Sequence, residues 1–137
     1  MQGIEQVAPG GQLLAIIVRA QVVTEKKYNF LTESSSALQL GVSNYPAGEL
    51  IPAHAHLRTE VTVPSGSEYI LVKSGRLRVK LFDAETRAPL SVQELGAGDS
   101  ILLLAGGHGF EVLEPCQILE VKQGPYLSKE KDKVVWE

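Results

Sequence analysis

Short apolar runs broken by turn residues fill this chain from end to end, and that rhythm restricts the fold more than any other feature. Leu13–Val23 is rich in β-branched residues and follows a Pro9-Gly10-Gly11 breaker. Leu38–Tyr45 stops at Pro46-Ala47-Gly48. Glu68–Lys73 reads as a strand, with Ser74-Gly75 as a hairpin turn and Arg76–Phe82 alternating polar and apolar as a half-buried strand does. Ser91–Leu95 closes at Gly96-Ala97-Gly98, and Ile101–Leu104 is wholly apolar, the pattern of a strand buried on both faces. Phe110–Leu113 and Ile118–Lys122 complete the set. Turn signals recurring about every 8–12 residues predict an all-β sandwich or barrel. No segment sustains a helical apolar period. The best helix candidate is Leu127–Lys133, with Ser128 as its cap, before an extended Val134-Val135-Trp136.

The chain has 137 residues, which fits one domain. An apolar content of 44% with mean hydropathy +0.02 describes a soluble chain with material for a core. A formal net charge of −3, mixed along the chain, argues against a nucleic-acid footprint, which needs a clustered basic face. Leu13–Val18 is far too short to span a membrane, which takes about 20 apolar residues. The N-terminus carries neither the basic nor the apolar region of a secretory signal. Cys116 is the single cysteine, so no intrachain disulfide can form, and its apolar setting, Cys116-Gln117-Ile118-Leu119, reads as a structural thiol. A cytoplasmic location is the expectation.

All three histidines fall in two glycine-rich segments. The first is Gly48-Glu49-Leu50-Ile51-Pro52-Ala53-His54-Ala55-His56, and the second runs from Gly98-Asp99 through Ile101–Leu104 to Gly106-Gly107-His108. On an extended strand His54 and His56 would point to one face, where two imidazoles can hold one ion. Glu68 and His108 would supply the remaining donors from neighbouring strands. Neutral imidazoles with one carboxylate suit a divalent first-row metal, so Fe, Mn, Ni or Zn is expected. The blander reading makes each histidine a satisfied polar residue of a strand or loop.

These segments resemble the two signature motifs of the cupins, small double-stranded β-helix or jelly-roll barrels. The first cupin motif runs Gly, five residues, His-x-His, a short spacer, Glu, six residues, Gly. Gly48, His54, His56, Glu68 and Gly75 match it in all but the spacer. Gly98, Asp99, Gly106 and His108 match the second motif, with Leu104 where proline is usual. The resemblance covers about residues 38–123. Glu120-Val121-Lys122-Gln123-Gly124-Pro125-Tyr126 with Asp132-Lys133 is similar to the C-terminal signature of a small cupin subgroup. Cupins usually place the glutamate three or four residues after the second histidine, where Glu60 stands. Glu68 is taken as the ligand instead, because the strand from Glu68 to Gly75 travels with it. Val61–Gly66 then reads as an inserted loop or hairpin.

The resemblance implies a cupin jelly roll with a metal inside, bound by His54, His56, Glu68 and His108, and a homodimer. It does not select an activity. A metal-dependent enzyme such as a dioxygenase or isomerase, a non-catalytic binder of sugars or other small molecules, and a metal-independent sugar-nucleotide isomerase or epimerase all stay open. The ligand expected is a small oxygen-rich metabolite, a sugar or carboxylic acid. Arg58, with Thr59 beside it, could grip a carboxylate or phosphate or be solvated. Tyr69, Lys73 and Lys122 are similar cases, Tyr69 facing away from Glu68 and Lys122 inward. Asp99 is expected to hold a turn through backbone amides. Gly106, Gly107 and Gly109 would permit a tight turn or a close approach beside His108.

Overall fold

The structure, a computed structural model, describes residues 1–57, 60, 62–63 and 66–136. Among the described residues eight strands run in chain order: β1 Gln2–Val7, β2 Ala15–Val23, β3 Tyr28–Phe30, β4 Gly41–Ser43, β5 Glu68–Phe82, β6 Pro89–Gly96, β7 Ser100–Leu103 and β8 Gly107–Lys122. A short helix, α1, covers Lys129–Asp132. Strands hold 49% of the described residues and helical turns 5%, so the all-β expectation holds. Every strand pairing found is antiparallel. β3 and β4 form a small ribbon, and the main sheet runs β1-β2-β7-β5-β6 with β8 along the other edge of β5. Among the described residues the sheets do not close into a barrel, because β1, β6 and β8 each pair on one side only.

β2 and β7 form because their runs are apolar at consecutive positions, which suits a strand covered on both faces. Ala15–Val18 and Ser100–Leu103 are buried without interruption. Ile17, Ile70, Val79, Leu81, Ile101 and Leu103 sit at the centre of the core. Each such aliphatic side chain contributes about 1.5–3 kcal/mol by leaving water. β2 lies between β1 and β7, paired along both edges.

The largest departure is in β5 and β8. Ser74-Gly75 is not a hairpin turn, and Phe110–Leu113 and Ile118–Lys122 are not separate strands. β5 and β8 are two long strands paired from Glu68↔Lys122 to Phe82↔Gly107, with register shifts on both sides of Ser74 and Arg76. Gly75 sits at the bulge with φ 84°, and a Cβ there would overlap the Pro115 carbonyl. Glycine serves a bulge and a turn for the same reason, freedom at positive φ, so the sequence signal is shared. The slip changes which positions face inward. Ile70 and Val72 are buried before it, Leu77, Val79 and Leu81 after it.

The bulge also folds the ribbon on itself. His108 pairs with Leu81, thirteen residues along β5 from Glu68. A straight strand would separate those positions by about 43 Å. The side chains of His108 and Glu68 nevertheless touch, so the two ends of the ribbon curl together over the core face.

Candidate functional site

Glu68 is the first residue of β5, held by Leu103 of β7 on one side and Lys122 of β8 on the other. The Gln123 amide donates to the Ser67 carbonyl at 3.2 Å and fixes the strand's entry. His108 is the second residue of β8. It follows Gly106, whose φ of 76° and closeness to the Phe82 carbonyl (2.6 Å from an added Cβ) leave no room for a side chain. Nε2 of His108 lies 3.1 Å from Oε2 of Glu68, and the carboxylate is the better buried partner, 16% exposed against 33%. The His108 hydrogen bond holds the Glu68 carboxyl below its ordinary range. Burial opposes this, while the charge of His108, a hydrogen bond with Glu120 and the charge of Lys122 assist. Glu68 is therefore a carboxylate at neutral pH, able to accept hydrogen bonds or to hold a cation.

Adjacent pairing places Ile118, Glu120 and Lys122 on the face of β8 that Glu68 shares, and Phe110 on that of His108. A cavity of about 440 Å³ opens there, lined by Glu68, His108, Phe110, Glu120, Lys122 and Lys133 among others. That volume suits a small metabolite. Sequence reasoning assigned no role to Phe110, Glu120 or Lys133. Strand alternation puts Val121, with Tyr69 and Leu102, on the opposite face, where they line a pocket with Leu38 and Leu40, and puts Glu120 and Lys122 at the cavity.

His54 and His56 stand elsewhere. The expected strand is not formed: among the described residues none from Asn44 to Ser67 belongs to a strand, and both imidazoles are exposed. Pro46 and Pro52 remove ladder donors from this segment, which disfavours a sheet strand. The two rings are neighbours, with centroids 5.3 Å apart and planes at 68°. Nδ1 of His54 is 2.9 Å from the Pro52 carbonyl. With Nδ1–H donating there, Nε2 keeps its lone pair outward, the tautomer that metal-ligating histidines use. The structure thus brings the four expected ligands together as two pairs and does not join the pairs. Among the described residues no three His, Cys, Asp or Glu side chains gather as a metal-binding group. In donor chemistry the residues fit a divalent ion: one deprotonated carboxylate beside one imidazole, and two imidazoles side by side.

The remaining candidates fall as follows. Arg58 and Thr59 lie outside the described residues, as do three positions of the segment read as an inserted loop, Val61, Pro64 and Ser65. Glu60 and Lys73 are exposed. Tyr69 faces away from Glu68, as strand alternation requires. Lys122 lines the cavity but is exposed, and its Nζ is 5.0 Å from the Tyr126 ring centre. Cys116 is half-buried against the core. Asp99 holds its turn through amides: Gly96 donates to Oδ2 and Ala20 to Oδ1, both at 2.9 Å, and Arg19 adds a contact to Oδ2 at 3.1 Å. No helix among the described residues is long and apolar enough to cross a membrane. Compared with family models, with curated proteins and with solved structures, the chain matches none.

Proposed function

We propose that this chain is a cupin-type double-stranded β-helix that uses His54, His56, Glu68 and His108 to hold one divalent transition metal. At that centre it binds or acts on a small oxygen-rich metabolite, a sugar or carboxylic acid. The observation that carries the reading is the Glu68–His108 contact. Two residues forty positions apart, each from its own motif segment, meet at 3.1 Å on the wall of a metabolite-sized cavity. The paired rings of His54 and His56 supply the other donors. The reading requires the His54–His56 pair and the Glu68–His108 pair to meet on the same ion.

Bound there, a divalent ion would polarise a substrate oxygen or lower the pKa of a bound water. The chain's own groups do the rest. Glu68 supplies charge, His108 is oriented by it, and Lys122 and Lys133 attract an anionic substrate. Phe110 excludes water from one wall. Titration of metal-free protein with Zn²⁺, Ni²⁺, Mn²⁺ or Fe²⁺, followed by elemental analysis, tests the reading. The expected stoichiometry is about one ion per chain. Glu68→Gln and His108→Ala should each weaken binding by about tenfold or more, since a lost ligand costs well over 1.4 kcal/mol. Glu60→Ala should leave it intact. A wild-type chain that takes up none of these ions would refute the proposal.

The same contact favours a second reading. A carboxylate hydrogen-bonded to an imidazole in a cavity is a general acid–base pair without any metal. It would suit proton transfer next to a carbonyl, the chemistry of a metal-independent isomerase or epimerase. Ligand binding or turnover that persists unchanged in chelator would select this reading over the first.

A further inference from the structure

The chain's one tryptophan, Trp136, takes no part in the contacts described so far. After α1 the chain returns across the His108 end of β8. The Trp136 ring stands edge-on to Phe82, with centroids 6.0 Å apart and planes at 89°. The Arg87 guanidinium lies 5.2 Å from the ring centre. The indole occupies the space that a side chain at position 107 would fill, so a larger residue there would displace it. A glycine notch, an aromatic edge and a cation together seat the tail on the sheet.

Between tail and sheet lies a second cavity of about 520 Å³. Phe82, Val135 and Trp136 give it apolar walls, and His108 and Lys133 stand at its border with the Glu68 cavity, which they also line. An apolar slot with a cation at one end matches a molecule with an apolar body and an anionic head.

We propose that the tail and β8 form a binding site for a small carboxylic acid with an aromatic or aliphatic body. The carboxylate lies against Lys133 beside His108, and the body lies along Phe82, Val135 and Trp136. The site stands on the tail cavity and does not rest on the metal reading. Trp136 emission in the full-length, chelator-treated protein is the probe. Benzoate should change it saturably, and benzyl alcohol, equal in size but uncharged, should bind at least about tenfold more weakly. Lys133→Gln, a change at an exposed side chain, should weaken benzoate by about tenfold and leave benzyl alcohol unaffected. No saturable response to benzoate, equal affinity for the two probes, or unchanged benzoate binding in Lys133→Gln would each overturn the proposal. Metal uptake measured on the same protein separates the two readings. Benzoate binding without metal uptake refutes the metal centre alone, and the converse refutes this site alone.

Discussion

Asp99 joins three parts of the chain through one carboxylate. Its oxygens accept from the Gly96 and Ala20 amides, and Arg19, itself paired with Glu5, reaches it from β2. Burial alone would raise its pKa, but the two amides and the guanidinium outweigh that cost and hold it below the ordinary value of 3.8. A carboxyl depressed in the folded state adds stability above its unfolded pKa and loses it as pH falls through the folded value. The protein should therefore be stabilised by Asp99 above about pH 4 and lose that contribution in more acidic solution. Asp99→Ala should cost about 2–3 kcal/mol at pH 7, with a flatter acid limb in chemical denaturation. A variant as stable as wild type at pH 7 would contradict this role. The amide-holding turn was legible from a Gly-Asp step before a buried strand. The Ala20 and Arg19 partners, some eighty positions away, were not, because no local pattern encodes which strand comes to lie alongside.

At the scale of elements, the folded β5–β8 ribbon makes the site. Its hinge is Gly75, pressed against the Pro115 carbonyl at positive φ. Gly75→Ala should destabilise the protein by at least about 2 kcal/mol, from backbone strain plus displacement of Pro115. It should also part Glu68 from His108, visible as a changed His108 imidazole resonance in NMR. An unchanged resonance and stability would mean that the fold-over does not depend on this glycine. Glu68, His108 and Gly75 were all legible as members of one unit. Their local conformation was not, since a bulge and a hairpin use the same residues. The His54–His56 strand failed for a related reason. Period two says which side chains would share a face if a strand formed, and Pro52, two residues before His54, disfavours the strand itself. The helix of the tail survived in shortened form, because its signal is local: Ser128 accepts from the Lys131 amide at 3.2 Å.

For the whole molecule, the strand–turn rhythm was enough to give an all-β chain, and far-UV circular dichroism should be dominated by strand. Which strands lie side by side was not legible, because no local pattern encodes pairing between distant segments. Among the described residues β1, β6 and β8 each keep one unpaired edge, which bears on assembly. Phe110 and Val112 of β8 are 39% and 63% exposed, and an exposed apolar edge tends to find a partner. A homodimer is predicted, with a light-scattering mass near twice 14.8 kDa at micromolar concentration. A monomer mass would rule it out. The central claim, however, is that two separate donor pairs come together on one ion. X-ray absorption spectroscopy of the zinc-loaded protein counts those donors directly. Three imidazoles and one carboxylate per zinc are predicted, falling to one imidazole when His54 and His56 are both replaced by alanine. A spectrum with a single imidazole in the wild-type chain, or one unchanged by that double replacement, would contradict the account.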